Sequence, residues 1–198
     1  MKITPFEITC VILSGGKSSR MGEDKSLLPF STSKTLIEYQ YQRLKPYFKD
    51  IYISSKTNKF DFIEKDFLIL DEDKEIFSPI LALYSIFKKL KNQKIFIITV
   101  DTPFVSIDSI SKLLEESKEY DICVAQTEKV HNLCGVFSSN ISFTIEEMIK
   151  KNIHKIFYLI QNNKFLIHKF PNNDEFLNIN NQDDYKESLI YINKTYNI

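Results

Sequence analysis

The sequence predicts a single α/β domain built around a mostly parallel, doubly wound central sheet flanked by helices in three layers. Short apolar runs alternate with amphipathic helical patterns along the chain. One run, Ile95-Phe-Ile-Ile-Thr-Val100, is apolar without alternation, as expected of a parallel strand buried on both faces. Another, Ile8–Leu13, stops abruptly at a glycine-rich segment. A chain of 198 residues is long enough to bury one substantial core.

Each element has its own signal. Ile8–Leu13 reads as the first strand. Thr35–Phe48 places Leu36, Tyr39, Leu44 and Tyr47 near one helical face, with Pro46 close to its end. Ile51–Ser54 and Phe67–Leu70 are strand-like. The helix from Pro79 to Leu90 opens with a proline, whose missing N–H costs nothing in a first turn. After the central strand, Ser106–Ser117 reads as helix, and Ile122–Gln126 and Leu133–Phe137 as strands. The last third carries helices at Ser142–Lys151, Ile153–Gln161 and Asp183–Ile192, and a strand at Phe165–Phe170. No internal repeat, linker or low-complexity block interrupts the pattern.

Composition excludes several function classes. Basic and acidic residues number 26 each, so no global field draws the chain to nucleic acid or an acidic membrane surface. No apolar stretch is long enough to span a bilayer. The N-terminal residues Met1–Thr9 lack a signal-type apolar region. Three cysteines without CxxC spacing argue against a disulfide framework, and Cys10 and Cys123 sit in apolar runs as small buried hydrophobes. The expected compartment is the reducing cytoplasm.

Function is concentrated in one segment. The chain has only four glycines, where average usage would give roughly fourteen. Three of them, Gly15, Gly16 and Gly22, fall in Leu13-Ser-Gly-Gly-Lys-Ser-Ser-Arg-Met-Gly-Glu-Asp-Lys25. Glycine lets backbone approach a ligand closely, and Lys17, Arg20 and Lys25 interleave cations with it. Backbone amides plus fixed cations suit a polyphosphate. The spacing fits neither GxxxxGK[ST] nor GxGxxG. On glycine content alone, a nucleotide loop and a plain strand-to-helix turn with exposed lysines both stand.

The full string, continuing into Leu27-Leu28-Pro29-Phe30, closely resembles the signature loop of nucleotidyltransferases, and more narrowly that of the molybdenum cofactor guanylyltransferase family. The resemblance implies a single-domain, three-layer, Rossmann-like nucleotidyltransferase fold, with a nucleotide-binding part about 1–105 and an acceptor-binding part about 106–198. It also implies a Mg²⁺-dependent transfer of GMP from GTP to molybdopterin or its molybdenum-loaded form. Leu13, Ser14, Gly15 and Gly16 would contact the nucleotide, and Arg20 and Lys25 the phosphates. Paired glycines in Leu-Ser-Gly-Gly favour the guanylyl branch over relatives that read Leu-Ala-Ala-Gly.

Carboxylates at strand ends extend the resemblance. Asp101 follows the central strand in Asp101-Thr-Pro-Phe104. Taken alone it reads as a turn or helix cap; beside the glycine loop it reads as a Mg²⁺ ligand. The family's Asp-Thr-Pro aspartate has that role. Asp71 follows Phe67–Leu70 and matches the family's nucleotide-contacting aspartate, with Glu72 and Asp73 as adjacent alternatives and a solvated acidic turn as the plain one. The family's Gly-Pro-Leu is here Ser78-Pro79-Ile80, without the glycine. Ser54 stands where relatives place an asparagine near the nucleotide.

On the acceptor side, Asn178 and Asn180 resemble the family's late Asn-x-Asn motif, although Asn180 or Asn181 also suits a helix cap. His131 falls at the family's His-Pro, with Asn132 replacing the proline. His154 and Lys155 lie where relatives carry an arginine-containing turn; His154 reads as a surface residue. A labile pterin acceptor implies transient contacts with other proteins of the cofactor pathway, though no segment identifies a docking surface. Rival readings are transfer of another base, transfer to a sugar phosphate, and a non-catalytic nucleotide- or cofactor-binding chaperone.

Overall fold

In the computed structural model, which describes residues 4–15, 22–73 and 76–196, seven strands form one sheet. In chain order they are β1 (Phe6–Leu13), β2 (Phe48–Ser55), β3 (Leu68–Leu70), β4 (Lys94–Thr99), β5 (Ile122–Gln126), β6 (Val130–Ser138) and β7 (Phe165–Lys169). The order across the sheet is β3-β2-β1-β4-β6-β5-β7. Every pairing is parallel except those of β6, which runs antiparallel to both β4 and β5. The helices are α1 (Leu36–Leu44), α2 (Pro79–Lys89), α3 (Ile107–Glu116), α4 (Ser142–Lys150), α5 (Ile156–Gln161) and α6 (Gln182–Tyr196).

The central strands have no polar face because both faces are covered. Along β1 and β4, Cys10, Ile12, Phe96 and Ile98 point to one side, and Val11, Leu13, Ile95 and Ile97 to the other. The first face packs α1 through Leu36, Ile37 and Leu44, α3 through Ile110 and Leu113, and α6 through Ile192. The second packs α2 through Ile80, Leu83 and Ile86, α4 through Ile145 and Met148, and α5 through Leu159 and Ile160. All three cysteines are buried and unpaired.

Helix starts are set by side-chain caps. Thr35, Ser78 and Ser106 accept hydrogen bonds from Glu38 N, Ile80 N and Ser109 N. The first expected helix is shorter than its apolar pattern, because Pro46 turns its last residues, Lys45–Tyr47, into a 3₁₀ turn and β2 begins at Phe48. Chain order makes β1 connect outward to β2 on one side while β4 lies on the other. The switch point therefore falls at the carboxyl ends of β1 and β4, where ligands collect in open α/β sheets.

Candidate functional site

The carboxyl edge of the sheet is extended by backbone bonds that bring four loops together. Ser14 N donates to Ser54 O (2.8 Å), Val100 N to Leu13 O (3.0 Å), and Asp71 N to Ser55 O (3.0 Å). These bonds open a cavity of about 390 Å³ lined by Leu13, Gly15, Lys25, Ser54, Asp71 and Asp101, together with Phe77, Ser78 and Pro79 from the start of α2. Residues distant in sequence thus meet at one mouth. Gly16 and Arg20, also expected there, lie outside the described residues.

Lys25 is aimed by its neighbour. Asp24 caps the 3₁₀ turn Lys25–Leu27, accepting from Ser26 N (3.0 Å) and Ser26 Oγ (2.7 Å). The same carboxylate pairs with Lys59 across 35 residues. Burial would raise the pKa of Asp24, but the bonds from Lys59 and Ser26 outweigh it and hold the carboxyl below its usual range. The Lys25 ammonium reaches Asp101 Oδ2 and also donates to Ile179 O (3.2 Å). Ile179 N in turn donates to Asp101 O (2.9 Å), so the segment before α6 clamps both residues through its backbone.

Asp101 offers more than this pair. Its Oδ1 is buried and has no hydrogen-bond partner among the described residues. An unpartnered anionic oxygen at a cleft mouth suits a hard cation completed by substrate oxygens. Among the described residues no three His, Cys, Asp or Glu side chains converge as a closed metal site. A cation would thus rest on Asp101 and on groups brought by a ligand.

Asp71 is nearly inaccessible, yet its carboxylate borders the same cavity, with Ser54 Oγ donating to its Oδ1 (3.4 Å). Burial pushes its pKa up, opposed by the charge of Lys56 and the bond from Ser54. Glu72 turns away to pair with Lys88, and Asp73 accepts from Ile76 N within its loop. Ser78 adopts φ −137°, an extended conformation open to any residue, so the family's glycine is not needed there. Its hydroxyl is buttressed by His154 Nδ1 at 2.8 Å, and His154 Nε2 bonds Asn152 Oδ1 at 2.7 Å. His154 is a brace for the start of α2.

A second cavity of about 350 Å³ adjoins the first and shares Thr99, Asp101 and Leu133 with it. It is lined by Val130, His131, Asn132 and Cys134 of β6 and by Asn178. Asn132 Oδ1 and Asn178 Oδ1 are both buried without a partner among the described residues, like Asp101 Oδ1. Asn132, the residue that replaces proline, is a cleft group that the sequence did not single out. Asn180, by contrast, is exposed and lines neither cavity; its backbone N–H donates to Asp184 Oδ2 (2.7 Å). The two asparagines are thus set apart, Asn178 lining the cavity and Asn180 standing at the start of α6, which Asn181 and Asp184 cap reciprocally.

His131 borders this second cavity but is largely engaged elsewhere. Thr127 Oγ1 donates to Asn173 Oδ1 (2.6 Å), so it accepts from His131 Nε2 (2.8 Å), which must carry the proton. The ring packs on Phe176, with centroids 4.9 Å apart. Burial, then the nearby Lys129 charge, lowers its pKa from 6.5 to about 4. Between those values the unfolded chain binds a proton that the folded chain refuses, so stability falls as pH drops through that window. The loss is at most about 3 kcal/mol. Denaturant unfolding at pH 7 and pH 4 is expected to show a larger acid loss for the unaltered protein than for His131→Gln. Equal losses would remove His131 as the cause.

A larger depression, about 800 Å³, lies between α2 and α4 around Leu81, Tyr84, Glu146 and Ile149. Of the candidate residues it holds only Glu72 and Asp73, the alternatives to Asp71. No helix among the described residues is long and apolar enough to cross a membrane.

Comparison with known proteins places the chain in a family. A protein named molybdenum cofactor guanylyltransferase from Campylobacter jejuni subsp. doylei is 38% identical over 91% of this chain and 95% of its own length. One named probable molybdenum cofactor guanylyltransferase from Aquifex aeolicus is 37% identical over 91% of this chain and 90% of its own. The crystal structure of molybdopterin-guanine dinucleotide biosynthesis protein A from Archaeoglobus fulgidus shares the fold, with a TM-score of 0.80 and 19% identity over 94% of this chain and all of that one. Residues 10–163 match the MobA-like NTP transferase domain, and the chain belongs to that nucleotidyltransferase family.

Proposed function

We propose that the protein transfers GMP from GTP to molybdopterin, with or without bound molybdenum, forming molybdopterin guanine dinucleotide and pyrophosphate. The observation that carries the reading is the Lys25–Asp101 pair at the junction of two adjoining cavities. The first cavity suits a nucleoside triphosphate and the second its acceptor, so the α-phosphate would sit between them. The names of the relatives at 37–38% identity support the substrates.

A terminal phosphate oxygen of the acceptor attacks the α-phosphorus as the bond to the β-phosphate oxygen breaks, and pyrophosphate leaves. That oxygen is already anionic, so no strong protein base is needed. Lys25 neutralises charge on the phosphates, and Arg20 is assigned the same task from the motif. Asp101, through its unpartnered Oδ1, would hold Mg²⁺. When bound, Mg²⁺ neutralises phosphate charge and orients the oxygens of the displacement. Ser14, Gly15, Ser54 and Asp71 position the nucleoside, and Asn178 and Asn132 face the acceptor. Catalysis by positioning and charge neutralisation is the pattern expected of phosphoryl-group chemistry. On this reading residues up to about 105 serve the nucleotide and those beyond it the acceptor, in a cytoplasmic enzyme.

The test is pyrophosphate release with Mg²⁺ and molybdopterin, comparing GTP, CTP and ATP. Release with GTP alone is expected. Preference for CTP would overturn the guanylyl assignment, and silence with all three, despite GTP binding, would favour a binding protein.

A further inference from the structure

We infer that the second cavity takes the pterin end of molybdopterin by its N–H edge, with Asn132 as the side chain that selects it. This rests on the molybdopterin reading of that cavity and specifies which part of the molecule enters and how it is read.

Asn132 owes its place to an irregularity in the sheet. Between β5 and β6, Val124 pairs with Gly135, but the next residue, Ala125, pairs with His131. Residues 132–134 lie between these pairs, extra on β6, and all three line the second cavity. Such a bulge re-aims side chains that a regular ladder would direct elsewhere. The amide oxygen of Asn132 is buried there without a partner among the described residues, as is that of Asn178 on the segment before α6.

The hydroxyl and imidazole protons beside the cavity are committed elsewhere. Thr102 Oγ1 donates to Thr99 O (2.9 Å), so it accepts from Thr99 Oγ1 (3.2 Å). His131 Nε2 gives its proton to Thr127 Oγ1. The orphaned side-chain atoms of this wall are all oxygens: the two amides and Asp101 Oδ1, the last of which is assigned to the cation. A buried oxygen without a partner destabilises, and a donor brought by a ligand removes that cost. The terminal torsion of asparagine is soft, so its oxygen can turn to a donor without backbone movement.

Phosphate oxygens would meet these oxygens with like polarity. A pterin carries its 2-amino group and N3–H side by side, two donors on one edge to set against accepting oxygens. The cavity, about 350 Å³, has room for a bicyclic ring. Seated there, the ring leaves its phosphate arm toward Asp101, which both cavities share.

Pterin and lumazine differ on that edge, where lumazine has a carbonyl in place of the 2-amino group. Binding of each is followed at pH 7 by its own emission, with the unaltered protein, Asn132→Leu and Asn132→Asp. The unaltered protein is expected to bind pterin about tenfold more tightly than lumazine. This comparison needs no variant to fold. Asn132→Leu, close in volume but without the oxygen, is expected to abolish the preference. Asn132→Asp, which keeps an accepting oxygen in place, is expected to retain it. In turnover, Asn132→Leu should raise the KM for molybdopterin about tenfold and leave the KM for GTP unchanged. Equal affinity of the unaltered protein for the two heterocycles, binding of neither, or matching rises in the two KM values would each overturn the assignment. Loss of the preference in Asn132→Asp would overturn it as well, since the amide N–H would then be the reader. None of these results would touch guanylyl transfer itself if pyrophosphate release with GTP and molybdopterin persists. Release with a sugar phosphate and not with molybdopterin would overturn both readings.

Discussion

Replacing Asp101 with asparagine is expected to lower turnover by about a thousandfold while the chain stays folded. Asparagine keeps the shape, and the backbone bond from Ile179 N to Asp101 O is untouched, but the charge that Oδ1 and Oδ2 share is removed. Two consequences follow from the geometry. The buried Oδ1, which has no partner among the described residues, becomes an amide oxygen too weak to hold a divalent cation against solvent. Lys25 loses its counter-charge, although Ile179 O still accepts from it. Both side chains of the pair are about one-seventh exposed, so solvent softens the loss and the stability cost is only about 1–2 kcal/mol. Pyrophosphate release and thermal unfolding measured on the same preparation separate the two effects. Lys25→Ala added to Asp101→Asn should cost little more than either change alone, since groups acting as one unit are not additive. Retention of a tenth of the turnover in Asp101→Asn would remove Asp101 from the chemistry.

How far the site could be read beforehand depended on the range of each interaction. Strands and helices were legible because their signals are local: apolar runs, helical periodicity and Pro79 at a helix start. The convergence of Leu13, Ser54, Asp71 and Asp101 was legible as well, because residues at strand ends are placed by the fold alone. Asp24 was not, since its task depends on Lys59, 35 residues away. Asn132 was hidden by reading it as a lost proline instead of as an amide in a cleft. The reversed direction of β6 was available in principle. Only residues 127–129 separate β5 from β6, too few for the crossover that parallel neighbours require.

The fourth glycine sets the other large effect. Gly135→Ala is expected to destabilise the fold by about 4 kcal/mol or more, enough to remove most of the margin of a domain this size. Gly135 lies in β6, facing Ile97 of β4 on one side and Val124 of β5 on the other. A Cβ there would stand 2.0 Å from Cys123 O and 2.8 Å from Val124 Cα. Both are backbone atoms of the neighbouring strand, so no side-chain rotation relieves the clash. The strands must separate or slip, and a slip of one residue would turn the buried faces of β6 outward. The β5–β6 register already shifts between Val124 and Ala125, which marks the close approach that the glycine permits. Gly15 provides the contrast, because a Cβ there would meet Asp71 Oδ2 only at an ordinary 3.7 Å. Gly15→Ala should therefore fold normally and lose nucleotide affinity, whereas Gly135→Ala should unfold at much lower denaturant. Equal denaturation midpoints for the two variants would refute the steric account of β6.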